Sequence, residues 1–443
     1  MAASFVRSLA SVATLSLLAS PVVAAKTSVR LGRKAHRFDS GPRKEGPLSW
    51  RQAGNSIPMN GGVLTLGAYF LELTVGTGAG QQTFDVLVDT GSSNTAVPSV
   101  GCTSCQTSAL YNASASPTSS LLECSAAMCQ NCAPVAVGTD VVPPDANLST
   151  CLYNGGGPMC AGEQCGFGIS YGGSGTAIAG TIVQDVACLP GGLCSSIYVD
   201  QITTEYPNST LNTGILGLAF PANSCSPTCQ PTILDSFVAS GALPAEADLF
   251  GMCLTPSDGG ILDLGHLNAS RFSGDMLYTD IVREGWYNIA VRDILVGGQS
   301  LGVPEFLYLS TVDSLGAFVD SGTSVILVAP YAFGVFQDLM VGLALPKVNE
   351  LFSGSSCANL TASEIAAYPD ISFTIKGTQG QPDFSVSLPG ANYLMPVNGL
   401  VCMGVAGVPS IGVILGDIIM TNYYIAFDRV NSRLGFAPIT ACA

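Results

Sequence analysis

Residues 84–98 read FDVLVDTGSSNTAVP and residues 318–330 read FVDSGTSVILVAP. In each, an apolar and β-branched run ends on an aspartate. Thr or Ser, Gly, and Ser or Thr follow before the chain turns apolar again. Each stretch reads as a strand, a tight turn and another strand. A second signal recurs downstream of each, ILGLAF at 215–220 and VILGDI at 413–418. The same order met twice in one chain predicts two similar lobes.

Between these landmarks the residues alternate rather than follow a helical period, as in YFLELTV at 69–75, FGISY at 167–171 and ISFTI at 371–375. Turn formers are dense, with 51 Gly and 26 Pro among 443 residues, and only 11% of residues are charged. Helical stretches are few: 232–240, 332–343 and 362–367. The expected fold class is all-β, with two lobes related by a pseudo-two-fold axis, a cleft between them and short helices.

The net charge of −15 argues against nucleic acid or an anionic membrane as partner. Mean hydropathy is +0.42, yet the uncharged stretch from Ser321 to Gln337 contains Pro330 and is too short and broken to span a bilayer. The N-terminus joins Arg7 to an apolar run from Leu9 to Ala19, with small residues before Lys26. It reads as a secretory signal over 1–24. Sixteen cysteines agree with export into an oxidising compartment. Residues 26–51 then carry eight bases against Asp39 and Glu45, including the dibasic pairs Arg33-Lys34 and Arg43-Lys44. Beyond Arg51 seven basic and 29 acidic residues remain, a net of −22. A basic leader thus precedes an acidic body. It is expected to be a propeptide over 25–60, lying electrostatically on an acidic cleft. The lobes are expected at 61–245 and 246–443, with no membrane anchor after Pro438.

Asp89 and Asp320 carry the chemistry. A carboxylate among buried apolar residues is costly unless it is hydrogen-bonded or shares a proton. Gly91 and Gly322 let backbone amides approach the carboxylate oxygens. Ser92 and Thr323 offer hydroxyls to the outer oxygens, and Thr90 and Ser321 complete the two turns. One such turn is weak evidence, because Asp-x-Gly is first of all a turn; two in matching contexts are strong. Meeting across a two-fold axis, the pair cannot both ionise easily and would share a proton. A pair in that state can take a proton from water and give one to an amide carbonyl oxygen, which is peptide hydrolysis without a covalent intermediate.

With these residues in view, the sequence from about 65 to 440 resembles the pepsin-family (A1) aspartic endopeptidases. The resemblance implies that Asp89 and Asp320 are the catalytic pair, and that Tyr171, in ISYGGSGT, is a flap tyrosine with Gly172 and Gly173 at the hairpin tip. It further implies that GWYNI at 285–289 lines the cleft and that Cys357 pairs with Cys402. It implies a monomeric zymogen acting on polypeptides at acidic pH, inhibited by its own propeptide, without cofactor or metal. Its place would be outside the cell or in an acidic vacuole or lysosome. This chain has Ala96 where the pepsin pattern carries tryptophan, so its flap is expected to be held differently. Eight cysteines, Cys102, Cys105, Cys124, Cys129, Cys132, Cys151, Cys160 and Cys165, make a segment similar to the cysteine-rich insertion of nepenthesin-type relatives. Their spacing does not determine their pairing.

Other readings weigh less. CTSC at 102–105 and CQNC at 129–132 have zinc-site spacing, but oxidation competes in an exported chain and only His36 and His266 could join them. With no histidine near a nucleophilic motif, a Ser-His-Asp hydrolase is excluded. A non-catalytic binding protein on the same scaffold is disfavoured by the two intact turns. A two-carboxylate glycosidase is disfavoured by the presence of only Trp50 and Trp286 as large sugar platforms. Asn112, Asn147, Asn208, Asn268 and Asn359 stand in glycosylation sequons.

Overall fold

The computed structural model describes residues 55–126, 128–129, 159–161, 164–171, 176–206, 213–225, 229–311 and 314–442. The signal segment, the basic leader with its dibasic pairs, Gly172 and Gly173, Cys132 and Cys151, and Asn147 and Asn208 lie outside the described residues.

The chain is all-β with short helices and is built on a repeat of three strands. In the first copy Gly214–Gly217 runs parallel to Gln82–Asp89 and antiparallel to Thr95–Pro98. In the second, Val413–Leu415 runs parallel to Ala317–Val319 and antiparallel to Ile326–Val328. The strands on either side of each aspartate are therefore not hydrogen-bonded neighbours. The ILG strand enters between them, and every one of these short strands is buried on both faces, which is why they read as continuous apolar runs. That insertion gives the repeated order of motifs its spatial meaning.

The alternating stretches are strands: Ala68–Val75, Gln164–Tyr171 and Ile371–Ile375. The first lobe also has two 14-residue strands, Thr176–Leu189 and Leu193–Tyr206, paired as one long hairpin and clipped near its turn by the Cys188–Cys194 disulfide. The lobes share a sheet. Asn55–Gly62 pairs antiparallel with Gly260–Leu264 of the second lobe, and its last three residues pair with Ala68–Phe70 of the first. Residues 55–60, within the expected propeptide, are thus part of the strand that joins the lobes.

The expected helices are Ile233–Ala239, Pro330–Gly342 and Ala362–Ile365. Thr232 and Thr361 cap the first and third through capping boxes with Asp235 and Glu364. Val348–Leu351, Gly390–Tyr393 and Asp417–Met420 are further helices of four residues each, too short for a helical period to show in sequence. Between the lobes Tyr287 packs on Phe220, Phe250 and Phe427, and its hydroxyl donates to the Leu218 carbonyl at 2.5 Å. Cys253–Cys442 ties the chain end to the strand Leu249–Leu254. No helix among the described residues is long and apolar enough to cross a membrane.

Candidate active site

The two aspartates lie at equivalent places in the repeat. Asp89 ends its strand and Asp320 follows Val319; both are buried, at 2% and 7% exposure. Each loop holds its carboxylate in the same way. Asp89 Oδ1 accepts from the Gly91 amide at 2.8 Å and its Oδ2 from Ser92 Oγ at 2.5 Å. Asp320 Oδ1 accepts from the Gly322 amide at 2.8 Å and its Oδ2 from Thr323 Oγ1 at 2.5 Å. The glycines are needed for space: a Cβ on Gly91 would overlap the Asp320 carboxylate, and one on Gly322 would overlap that of Asp89. Each glycine thus lies against the opposite loop's carboxylate, which brings the inner oxygens of the two carboxyls together.

Thr90 and Ser321 lock the loops together. The Ser321 amide donates to Thr90 Oγ1 at 3.0 Å and the Thr90 amide to Ser321 Oγ at 3.1 Å. The hydroxyls then donate across the boundary, Thr90 to Val319 O at 3.2 Å and Ser321 to Val88 O at 2.8 Å. The ILG motifs brace the same loops from behind. Leu218 N donates to Asp89 O at 2.8 Å, and Asp417 N donates to Thr323 O at 2.7 Å.

Burial raises both catalytic-loop carboxyls above the ordinary range, and the charge of Asp89 adds to the rise at Asp320. The hydrogen bonds from Ser92 and Gly91 partly offset the rise at Asp89, and those from Thr323 and Gly322 do the same at Asp320. A proton retained in this range therefore belongs to the pair rather than to either carboxyl alone.

Tyr171 ends the strand Gln164–Tyr171, opposite Thr176. Burial, then the charges of Asp89 and Asp200, push its hydroxyl well above its ordinary value. It packs against an apolar cluster containing Ala96, Phe167, Met128, Cys129 and Cys165. Ala96 is fully buried, and the Cys129–Cys165 disulfide of the cysteine-rich segment shares its cluster. Cys102 and Cys105 are joined to each other, and Cys357 and Cys402 stand opposite one another and are disulfide-bonded. The GWYNI segment reaches the site through Asn288–Ile289, which pairs with Ala317–Val319.

Two further carboxyls belong to this environment and were missed in the sequence. Asp417 is fully buried, with neither carboxyl oxygen hydrogen-bonded among the described residues. Burial, then the charges of Asp320 and Asp89, raise it well above the carboxylate range. The available signal was the second ILG motif, which has Asp417 where the first has Leu218. Asp200 accepts from Asn94 Nδ2 at 2.6 Å and Gln230 Nε2 at 3.0 Å, and burial still pushes it up to about 7. Nothing local marks it, because its surroundings come from three distant segments.

Comparison with known proteins agrees with this geometry. The chain matches the family described as eukaryotic aspartyl protease over residues 68–128 and 161–439. It is 31% identical to cathepsin E of Aquarana catesbeiana over 388 residues, covering 84% of this chain and 79% of that protein. It is 28% identical to pepsin A of Bos taurus over 380 residues, 83% of each. To penicillopepsin-1 of Penicillium janthinellum it is 27% identical over 311 residues, 67% of this chain and 85% of that one. With the match running through both aspartate loops and most of the chain, this protein belongs to the eukaryotic aspartyl protease family and is a pepsin-family aspartic endopeptidase acting on polypeptides.

Proposed function

We propose that Asp89 and Asp320 hydrolyse peptide bonds at acidic pH, in an enzyme made as a zymogen and delivered outside the cell or to an acidic vacuole. The observation that carries the assignment is the reciprocal packing in which each loop's glycine makes room for the other loop's carboxylate. Ionised Asp89 takes a proton from a water held between the carboxyls as the water oxygen bonds to the peptide carbon. Asp320 gives its proton to the carbonyl oxygen. As the resulting diol collapses, the amide nitrogen receives a proton, the C–N bond breaks, and the pair is left again with one proton. Burial supports this reading, because the raised values keep that proton on the pair through the acid range.

The zymogen reading rests on charge: a leader with eight bases precedes a body of net −22. As body carboxylates protonate in acid, attraction to the leader weakens. A synthetic peptide of residues 26–51 is expected to inhibit the processed enzyme at pH 6 and low salt but not at pH 3.5. Of the sequons within the described residues, Asn359 is exposed while Asn112 and Asn268 are half-buried, so Asn359 is the readiest glycan site.

The deciding experiment is hydrolysis of a denatured protein at pH 3–5 by acid-treated wild type and by Asp89→Asn and Asp320→Asn, with and without pepstatin. Wild-type cleavage blocked by pepstatin, with none by either folded variant, is expected. Cleavage by either variant above background would sink the assignment of the pair.

A further inference from the structure

We infer that Arg283, laid over the indole of Trp286, selects a substrate side chain bearing a carboxylate at one position about three residues from the scissile bond. This rests on the peptidase reading of the cleft and adds a specificity to it.

The hairpin carrying Arg283 is pinned between the segment after the first ILG strand and the strand that leads to Asp320. The Gly285 carbonyl accepts from the Phe220 amide at 3.3 Å and from Asn223 Nδ2 at 2.7 Å, both on the segment that follows the first ILG strand. On its other side Arg283 bridges to Asn288, and Asn288 stands opposite Phe318, two residues before Asp320. Tyr287 adopts a left-handed φ of 56°. Its ring goes down into the core between the lobes, whereas Trp286 lies against Phe318 with ring centroids 6.1 Å apart. Adjacent strands are about 4.8 Å apart and an extended chain advances about 3.3 Å per residue. Arg283 thus stands two strand spacings from Phe318, about 10 Å, which is about the length of three residues of an extended substrate.

The guanidinium itself is exposed and held in place. Its carbon lies 5.5 Å from the Trp286 ring centroid, and Nη1 donates to Ser310 Oγ at 2.7 Å. A planar guanidinium stacked on an indole and tied by one donor keeps further donors for a carboxylate and loses little freedom in binding it. Seven Lys and Arg follow Arg51, and five of them face carboxylates: Arg271, Arg292, Lys347, Arg429 and Arg433. Among the described residues, Arg283 and Lys376 are the two without an ion pair, and Lys376 lies at the end of a strand in a separate four-stranded sheet. The neighbouring Glu284 accepts instead from Ser432 Oγ at 2.8 Å, and Asp280 pairs by backbone with Arg433. Among the described residues, the other groups against Arg283, namely Trp286, Ser310 and Asn288, do not titrate in acid. In a body of net −22 an acidic substrate residue is repelled in general. Arg283 inverts that sign at one place.

The preference carries a pH signature. Arginine stays charged throughout, whereas substrate Asp and Glu ionise near about 3.9 and 4.3. The selection should be strong at pH 5.5 and fade by pH 3. The test is a mixed peptide library cleaved by the processed enzyme at both pH values and read by mass spectrometry, followed by kinetics on a matched Glu/Gln peptide pair. Enrichment of Asp and Glu at one position is expected at pH 5.5. Arg283→Gln is expected to lower the Glu-to-Gln ratio of kcat/KM about fivefold or more, mainly through KM. Arg283→Lys should keep part of the preference, and Arg283→Glu should turn it toward Lys and Arg. Cleavage with the same profile in wild type and Arg283→Gln overturns this inference alone. Absence of wild-type cleavage on any peptide overturns it together with the peptidase reading.

Discussion

Thr90 and Ser321 hold each other across the lobe boundary, each hydroxyl accepting from the other residue's amide while donating to a carbonyl of the opposite strand. Both are fully buried, so removing either hydroxyl leaves an amide and a carbonyl without partners in a dry place. Thr90→Val is expected to cost about 2–4 kcal/mol, with Ser321→Ala similar. Because the pair sets the spacing of the two carboxylates, kcat should fall more than KM rises. Calorimetry and steady-state kinetics on the two variants check this. A variant with full kcat would show that the lobes keep their register by other contacts.

Gly322 faces the Asp89 carboxylate more closely than any Cβ allows, and Gly91 stands likewise to Asp320. Neither glycine has positive φ, so the constraint is space alone. Gly322→Ala must push the carboxylates apart or tilt its loop. It is expected to lower kcat/KM about 100-fold or more, since small misplacements in a site of this kind are costly. Activity within a few-fold of wild type would mean that the loop yields without harm.

Stability should fall as pH rises out of the acid range. Asp89, Asp320, Asp200 and Asp417 are all raised by burial from an ordinary value near 3.8. Between that value and the raised ones the native state holds protons that the unfolded chain has released, so unfolding releases protons and stability drops with pH. The window opens near pH 4 and runs to about 7 for Asp200. Self-repulsion of a body of net −22 acts in the same direction. The melting temperature is expected to be higher at pH 4 than at pH 7, and Asp200→Asn should flatten the decline between them. A higher melting point at pH 7 would contradict the burial argument.

Much of this was legible before any coordinates. Asp89, Asp320 and their supporting residues sit in local motifs, and alternation along residues 69–75 or 371–375 states directly which face is buried. What sequence did not show depends on distant segments meeting. The ILG strands slip between the two strands of each loop, an arrangement that no local pattern encodes. Asp200 owes its raised value to burial, and the partners that hold it there and partly offset the rise, Asn94 and Gln230, lie 106 and 30 residues away. Asp417 sits inside a motif already noticed, but its importance comes from proximity to Asp320 and Asp89, and that proximity exists only in the fold.

Tyr171 stands at a strand end, packed against the cluster that surrounds Ala96. Removing the ring should let water reach the carboxyls and loosen the substrate. Tyr171→Ala is expected to lower kcat/KM about tenfold or more on one peptide while the melting temperature changes little, since the residue is only partly buried. Unchanged kinetics would remove Tyr171 from the site.

The strand Asn55–Gly62 bears on where the mature chain begins. Ile57 and Met59 are buried in the main core, and Ser56 Oγ donates at 2.5 Å to Asp263, a fully buried carboxylate that also accepts from Arg271 and Tyr424. Five residue pairs join this strand to Gly260–Leu264, so it closes the sheet between the lobes. Cutting at residue 60 would unpair that edge and return two large apolar side chains to water, at about 1.5–3 kcal/mol each before the lost hydrogen bonds are counted. Processing upstream of Asn55 keeps the whole strand. A mature form starting at residue 61 is therefore expected to melt about 10 °C or more below one starting at residue 55, and to lose activity as the lobes separate. N-terminal sequencing of the acid-processed enzyme gives the second reading, and a first residue at or before Asn55 is expected. A start at residue 61 with undiminished stability would show that another segment can take the strand's place against Gly260–Leu264.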